Sequence, residues 1–210
     1  MSGIDLEERK RELRLVLRTR LRELSPAERD EAGERVARHL VTHPLVVPQR
    51  PGEGEVRPVA FFSSLPFEIS TLPLDHHLRR AGIPRALPAL EGDALVFRLV
   101  PADVQMEELD LDALGIPTPP PAFRAVDPVT CRVILTPGLA FDDDGGRLGQ
   151  GGGHYDRLLA RLRDDKATPP VLGIGFDFQR VEDVPMGSLD QRLDGVCTPG
   201  DGVQLRSGPS

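Results

Sequence analysis

Between residues 145 and 153 the chain places six glycines (Gly145, Gly146, Gly149, Gly151, Gly152, Gly153) and one charged side chain, Arg147. A stretch with so few side chains cannot fill a core, so its shape is dictated by its flanks and by what its backbone can approach. Upstream, the apolar run Val133 to Leu135 reaches a turn at Pro137-Gly138; downstream, Leu158, Leu159 and Leu162 recur at helical spacing. The order is strand, loop, helix. Glycine permits positive φ and close approach of backbone N–H groups, so a run of this kind entering a helix N-terminus makes a concavity suited to an anion, phosphate above all. A surface hairpin without a ligand is the alternative.

The loop is not a Walker A loop, because no Gly-Lys-Ser/Thr follows it, and its spacing does not suit a Rossmann turn. Two neighbours favour phosphate over the bare hairpin. Arg147 offers a permanently charged fork for phosphate oxygens. Asp156 places a carboxylate at the end of the loop, where a metal bridging phosphates would need one; an acid in the first helical turn, favoured by the macrodipole, is the competing reading.

Elsewhere the pattern alternates helices with short apolar strands. Leu13, Val16, Leu17, Leu21 and Leu24 mark a helix over residues 6–24, and Ser25-Pro26-Ala27-Glu28 reads as a capping box opening a second helix to about Leu40. A proline- and glycine-rich connection from Pro48 to Pro58 leads to an apolar strand, Val59 to Phe62. Leu72 to Ala81 reads as a helix stopped by Gly82, with His76 and His77 as surface or packing residues. Strands are expected over 84–90 and 95–100, joined by a turn at Glu91-Gly92-Asp93, then a proline-rich irregular segment over 107–123, and another strand over 171–177. The class that fits is α/β: a three-layer α/β/α domain with a mainly parallel sheet. A single domain is expected over residues 1–199, with a disordered polar tail over 200–210.

Residues Pro137 to Arg157, PGLAFDDDGGRLGQGGGHYDR, closely resemble the signature loop of the 5-formyltetrahydrofolate cyclo-ligase family, whose usual form is PGLAFD, a few residues, then RLGxGxGYYDR. Supporting matches run along the chain. They are Lys10-Arg11-Glu12-Leu13-Arg14 for the family's K-x-x-L-R, Glu68-Ile69-Ser70-Thr71 for E-[VI]-x-T, Phe178-Gln179 for the end of G-x-x-F-x-x-Q, and Asp190 in its late aspartate string. The chain departs from the pattern at His154, which replaces the first of two tyrosines, at Gln150 and Gly152, which replace basic residues of some members, and at Thr118, which replaces a glutamate.

The resemblance implies a cyclo-ligase-like fold of the CoA-transferase-like group. It also implies ATP- and Mg²⁺-dependent conversion of 5-formyltetrahydrofolate to 5,10-methenyltetrahydrofolate, with ADP and phosphate released. It places Lys10, Arg14, Arg147, Leu148, Gly149, Gln150, Gly151, Gly152, Gly153, His154 and Tyr155 at ATP. Glu68, Ser63 and Tyr155 go to the folate, Asp156 and Asp190 to the metal, and Arg147 and Asp156 to the chemistry. A paralogue acting on another substrate and a non-catalytic folate- or nucleotide-binding protein remain alternatives.

Composition excludes other classes. A net charge of −7 argues against a broad nucleic-acid surface. Two cysteines, Cys131 and Cys197, each placed in a strand, read as buried thiols of a reducing cytosol rather than a disulfide framework. No apolar run approaches a membrane span. The expected partners are small molecules, in a cytoplasmic monomer or weak homo-oligomer.

Overall fold

Period-two alternation in short central strands sorts the helices onto two faces of one sheet. The computed structural model describes residues 3–47, 56–163 and 168–206, so residues 48–55 of the expected linker and 207–210 of the expected tail lie outside the described residues. In chain order the elements are α1 (Gly3–Glu23), α2 (Pro26–Thr42), β1 (Val59–Ala60), α3 (Leu72–Arg80), β2 (Arg85–Glu91), β3 (Ala94–Val100), β4 (Ala125–Val126), β5 (Val133–Pro137), β6 (Ala140–Phe141), β7 (Arg147–Leu148), α4 (His154–Arg163), β8 (Val171–Ile174), β9 (Gly195–Thr198) and β10 (Gly202–Leu205).

The main sheet runs β10-β9-β8-β5-β1-β2-β3-β4. Its five central strands, β9 to β2, are parallel, and β10, β3 and β4 close the edges antiparallel. On one face Val59, Val133, Leu135, Leu172, Ile174 and Cys197 pack with Val36 and Leu40 of α2 and Leu74 and Leu78 of α3. On the other, Ala60, Ile134, Val171 and Val196 pack with Leu158, Leu159 and Leu162 of α4. This is the three-layer α/β/α arrangement with a mainly parallel sheet. Beneath α3, Arg85 and Asp75 form a fully buried bidentate pair at 2.7 Å, and the guanidinium also donates to the Pro101 and Val104 carbonyls at 2.8 Å. Both terminal nitrogens of that charge are matched, as burial requires.

Several elements differ from their sequence reading. The Ser25–Glu28 capping box opens α2 as read, but Val16 is 62% exposed, because the inner stripe of α1 is Lys10, Leu13, Arg14, Leu17 and Leu21. The strand expected to reach Asp177 ends at Ile174, and Cys131 lies just ahead of β5, though both thiols are buried and unpaired. The tail is corrected as far as Leu205. Thr198 to Asp201 make a turn, with Gly200 N–H donating to Asp177 Oδ1, and Gly202–Leu205 return antiparallel along β9. The strand is four residues long and flanked by Gly200-Asp201 and Arg206, too short for its alternation to stand out from a polar tail.

The glycine stretch is also not one loop. Gly145 and Gly146 belong to the tight turn of the hairpin β6–β7, in which Ala140 pairs with Leu148 and Phe141 with Arg147. Buried Asp142 organises that turn by accepting from the N–H groups of Asp144, Gly146 and Val184. The hairpin is seated on the sheet by Phe141, whose ring covers three glycines at the ends of β5 and β8. A Cβ built on Gly138, Gly173 or Gly175 would stand 2.6, 2.3 or 2.8 Å from ring atoms. Gln179 completes the seat, donating to the Gly138 and Leu139 carbonyls at 2.8 and 3.0 Å.

Gly173→Ala should therefore lift the ring and cost about 1–3 kcal/mol of stability, as overpacking does, with part regained in Gly173→Ala/Phe141→Leu. Thermal denaturation checks this; an unchanged melting temperature in the single variant would show that the ring does not bear on Gly173.

Candidate active site

Loops at the carboxyl ends of parallel strands are where α/β folds bind ligands, and the cleft here, ≈ 660 Å³, opens there. Its walls come from α1 (Lys10, Arg14), the loop after β1 (Phe62, Ser63, Glu68), the 112–118 segment, and the run from Arg147 through Gly149–Gly153 to Arg157, with Asp190 across from them. The proline-rich segment is an ordered wall. Asp112 Oδ1 accepts from Leu114 and Ile116 N–H, Ser63 Oγ donates to the Pro117 carbonyl at 2.7 Å, and Thr118 Oγ1 donates to the Ile116 carbonyl. Ser63 thus spends its proton holding this wall.

Arg147, 5% exposed, comes off β7 into the floor of the cleft. Its Nη2 donates to Asp156 Oδ2 at 2.8 Å and its Nη1 to the Pro137 carbonyl at 3.1 Å, while its Nε is buried without a partner. The guanidinium lies 5.6 Å from the centre of the Tyr155 ring. Asp156 Oδ1 in turn accepts from Gln191 N–H at 3.2 Å. The fork expected to be free for phosphate is thus already paired. The same holds for Lys10, whose Nζ donates to Asp190 Oδ2 at 2.5 Å, and Asp190 also accepts from Gly187 N–H.

Unmatched positive charge sits at Arg157, whose partners are two backbone carbonyls and the His154 ring, and one turn further along α1. Arg14 Nε donates to the Gly149 carbonyl at 3.1 Å, and Arg18 binds the Gln150 carbonyl and carboxamide oxygens at 2.9–3.1 Å. These acceptors are neutral, so both guanidinium charges remain available to an anion. Lys10, Arg14 and Arg18 stand four residues apart on one helix face, a spacing that could have pointed to Arg18, which the sequence reading passed over. Asp142 and Gln179, which set the hairpin, were likewise visible only as parts of quoted motifs.

From the paired cations the chain passes through Gly151 (φ 110) and Gly153 (φ 67), conformations glycine adopts at little cost, into α4 at His154. The Leu148 side chain clusters with Leu17, Ala140 and Val184 at the edge of the cleft. His154 Nδ1 lies 2.9 Å from Arg157 Nη2 and 3.4 Å from the Asp93 carbonyl oxygen.

The other end of the cleft is built around Glu68. Its backbone N–H donates to the Leu65 carbonyl and its Oε2 accepts from Leu65 N–H at 3.0 Å, while Ser64 and Thr71 tie the loop to the end of β1. Burial pushes the Glu68 carboxyl up to about 7, opposed by the Leu65 N–H and the Gln150 amide. Tyr155 is raised above the usual phenol range by burial and then by Glu68, with Arg147 opposing; its hydroxyl is buried and unpartnered. Among the described residues no three His, Cys, Asp or Glu side chains are grouped to hold a metal ion. Asp156 and Asp190 instead fit an ion that arrives with its other ligands, as Mg²⁺ does on nucleotide phosphates.

The model of the 5-formyltetrahydrofolate cyclo-ligase family matches residues 6–199. The chain belongs to that family. The Escherichia coli 5-formyltetrahydrofolate cyclo-ligase is 36% identical over 189 residues, which cover 88% of this chain and 97% of that protein. The solved Aquifex aeolicus 5,10-methenyltetrahydrofolate synthetase superposes with a TM-score of 0.75 at 29% identity, covering 96% of this chain and 95% of that one. The Mycoplasma pneumoniae synthetase shares the fold, with a TM-score of 0.68 at 20% identity over 90% of this chain and 98% of that one. The cyclo-ligase resemblance and the α/β/α fold read from the sequence are both borne out. No helix among the described residues is long and apolar enough to cross a membrane.

A carboxyl raised on folding favours the native state while protonated and loses that contribution as pH rises. For Glu68 the loss runs from its ordinary value of 4.5 up to about 7. Glu68→Gln should therefore be more stable than the parent at pH 8 by roughly 2–3 kcal/mol, and the gap should close toward pH 4.5. Denaturant melts of both proteins across this range check it; a pH-independent gap would show that the carboxyl is not held up by burial.

Proposed function

We propose that this cyclo-ligase closes 5-formyltetrahydrofolate to 5,10-methenyltetrahydrofolate with ATP, and that one cleft holds both reactants. The observation that carries the reading is that cationic Lys10, Arg14 and Arg147 share this single ≈ 660 Å³ space with Glu68 and Tyr155. ATP lies with its phosphates against Lys10, Arg14 and the backbone of residues 148–155. The folate lies toward Glu68, Ser63 and Tyr155.

A formamide oxygen is a poor leaving group. It attacks the γ-phosphorus of ATP, forming a phosphorus–oxygen bond as the bond to ADP breaks. Nitrogen 10 then adds to the activated formyl carbon and gives up its proton, and the carbon–oxygen bond breaks to release phosphate and leave the methenyl bridge. No protein nucleophile is required. The protein's part is to align the formyl oxygen with the γ-phosphate and to place fixed positive charge where negative charge develops. Arg147, anchored by the Pro137 carbonyl, exchanges its Asp156 partner for phosphate oxygens. Asp156, then released, and Asp190 would hold Mg²⁺, which when bound withdraws charge from the phosphates. The buried free thiols Cys131 and Cys197 suit a reducing cytosol.

The purified protein incubated with 5-formyltetrahydrofolate, Mg²⁺ and ATP should form the methenyl chromophore, and should form none without ATP; absence of product in the complete mixture would refute the reading. Arg147→Ala and Asp156→Ala should each lower kcat by about 10²–10³-fold with unchanged circular dichroism. Full activity in either variant would remove that residue from the mechanism.

A further inference from the structure

Gln150 presents a side chain that the phosphate reading does not use. Its carboxamide oxygen accepts from Arg18 Nε at 3.1 Å and Nη2 at 3.0 Å, and the same Nη2 donates to the Gln150 backbone carbonyl at 2.9 Å. A guanidinium has only donors, so the oxygen must face Arg18 and the nitrogen must face away from it. That nitrogen is buried and has no hydrogen-bond partner. It lies beside the Glu68 carboxylate, close enough to act on its charge but without hydrogen-bond geometry. The Tyr155 hydroxyl, also buried and unpartnered, is within electrostatic reach of the same carboxylate.

Buried donors without acceptors are costly. Here two of them flank one carboxylate in the wall of a cleft, and Arg18, which does not line the cleft, holds one of the two in place from outside. A ligand edge that carries an acceptor next to donors would satisfy the whole group at once. The cyclic amide of a pterin has such an edge: a ring carbonyl oxygen beside a ring N–H and an amino group.

We propose that Gln150 reads the substrate and that Arg18 is its positioning residue. Arg18 holds the carboxamide by its oxygen so that the nitrogen, with the Tyr155 hydroxyl, donates to the pterin carbonyl while Glu68 accepts from the adjoining N–H and amino group. The assignment rests on the cyclo-ligase reading above and moves the Gln150 side chain from ATP to the folate.

Calorimetric titration without turnover tests it, with 5-formyltetrahydrofolate alone and with ATP alone as probes. Gln150→Leu should weaken the folate about tenfold, the effect of one lost hydrogen bond to a buried donor, and leave ATP within twofold. Arg18→Ala should act in the same direction by less, and Arg18→Lys should not restore affinity, because an ammonium cannot hold both oxygens as a fork. The parent should also bind the 4-amino analogue, in which a donor replaces the carbonyl acceptor, more weakly than the 4-oxo compound, and Gln150→Leu should narrow that gap. A selective loss of ATP affinity would overturn the proposal and return Gln150 to the phosphates. Equal losses for both ligands would overturn it in favour of a purely structural role, and unchanged affinities would remove Gln150 from the site. Failure of the cyclo-ligase reading itself would show separately, as a parent protein that neither binds the folate nor forms the methenyl product.

Discussion

The Phe141 ring rests on Gly138, Gly173 and Gly175, and the position of Arg147, the cation in the floor of the cleft, depends on that contact. The ring sets the height of β6 above the sheet. Because Phe141 pairs with Arg147 across the hairpin, it also fixes where the guanidinium leaves β7. Asp142 closes the turn beyond it and Gln179 clamps the approach, so the backbone is held from three sides with no contact to a ligand. The glycines after Leu148 can then run open toward α4, whose apolar face is anchored on the sheet by Leu158, Leu159 and Leu162.

On this frame the buried cleft charges are kept in balance. Arg147 is matched by Asp156 and Lys10 by Asp190, as low-dielectric surroundings require of charges that must survive without a ligand. Arg14 and Arg18 bind only neutral oxygens, which leaves their charge free to attract an anion. In the proposed reaction the two cations would leave these partners for phosphate oxygens and the freed aspartates would be the ones to hold Mg²⁺, so the same four side chains would serve both the empty site and the transferring phosphate. Glu68 and Tyr155 line the same cleft and belong to neither pair.

Much of this was legible in the sequence, and the misses have physical causes. The strand–glycine–helix order, the capping box of α2 and the apolar face of α4 follow from local periodicity and turn chemistry, which sequence carries directly. The division of the glycines between a hairpin turn and a helix entry was not legible, because it depends on Phe141 finding its seat on Gly173 and Gly175, residues more than thirty positions downstream. The last strand was hidden for the opposite reason: Gly202–Leu205 is too short for its alternation to register, and only its pairing to β9 reveals it. Lys10, Arg14, Glu68, Arg147, Asp156 and Asp190 do meet around one cleft, as the family motifs implied. Their pairing with one another, and the hold of Arg18 on Gln150, are properties of the folded site alone.

That ATP phosphorylates the formyl oxygen inside one cleft is the central claim, and the fate of that oxygen tests it most directly. Turnover of 5-formyltetrahydrofolate labelled with heavy oxygen in the formyl group should place the label in the released inorganic phosphate, one atom for each methenyl product formed. Phosphate without label, with the heavy oxygen appearing in water, would contradict it, because the formyl oxygen would then have left without ever bonding to phosphorus.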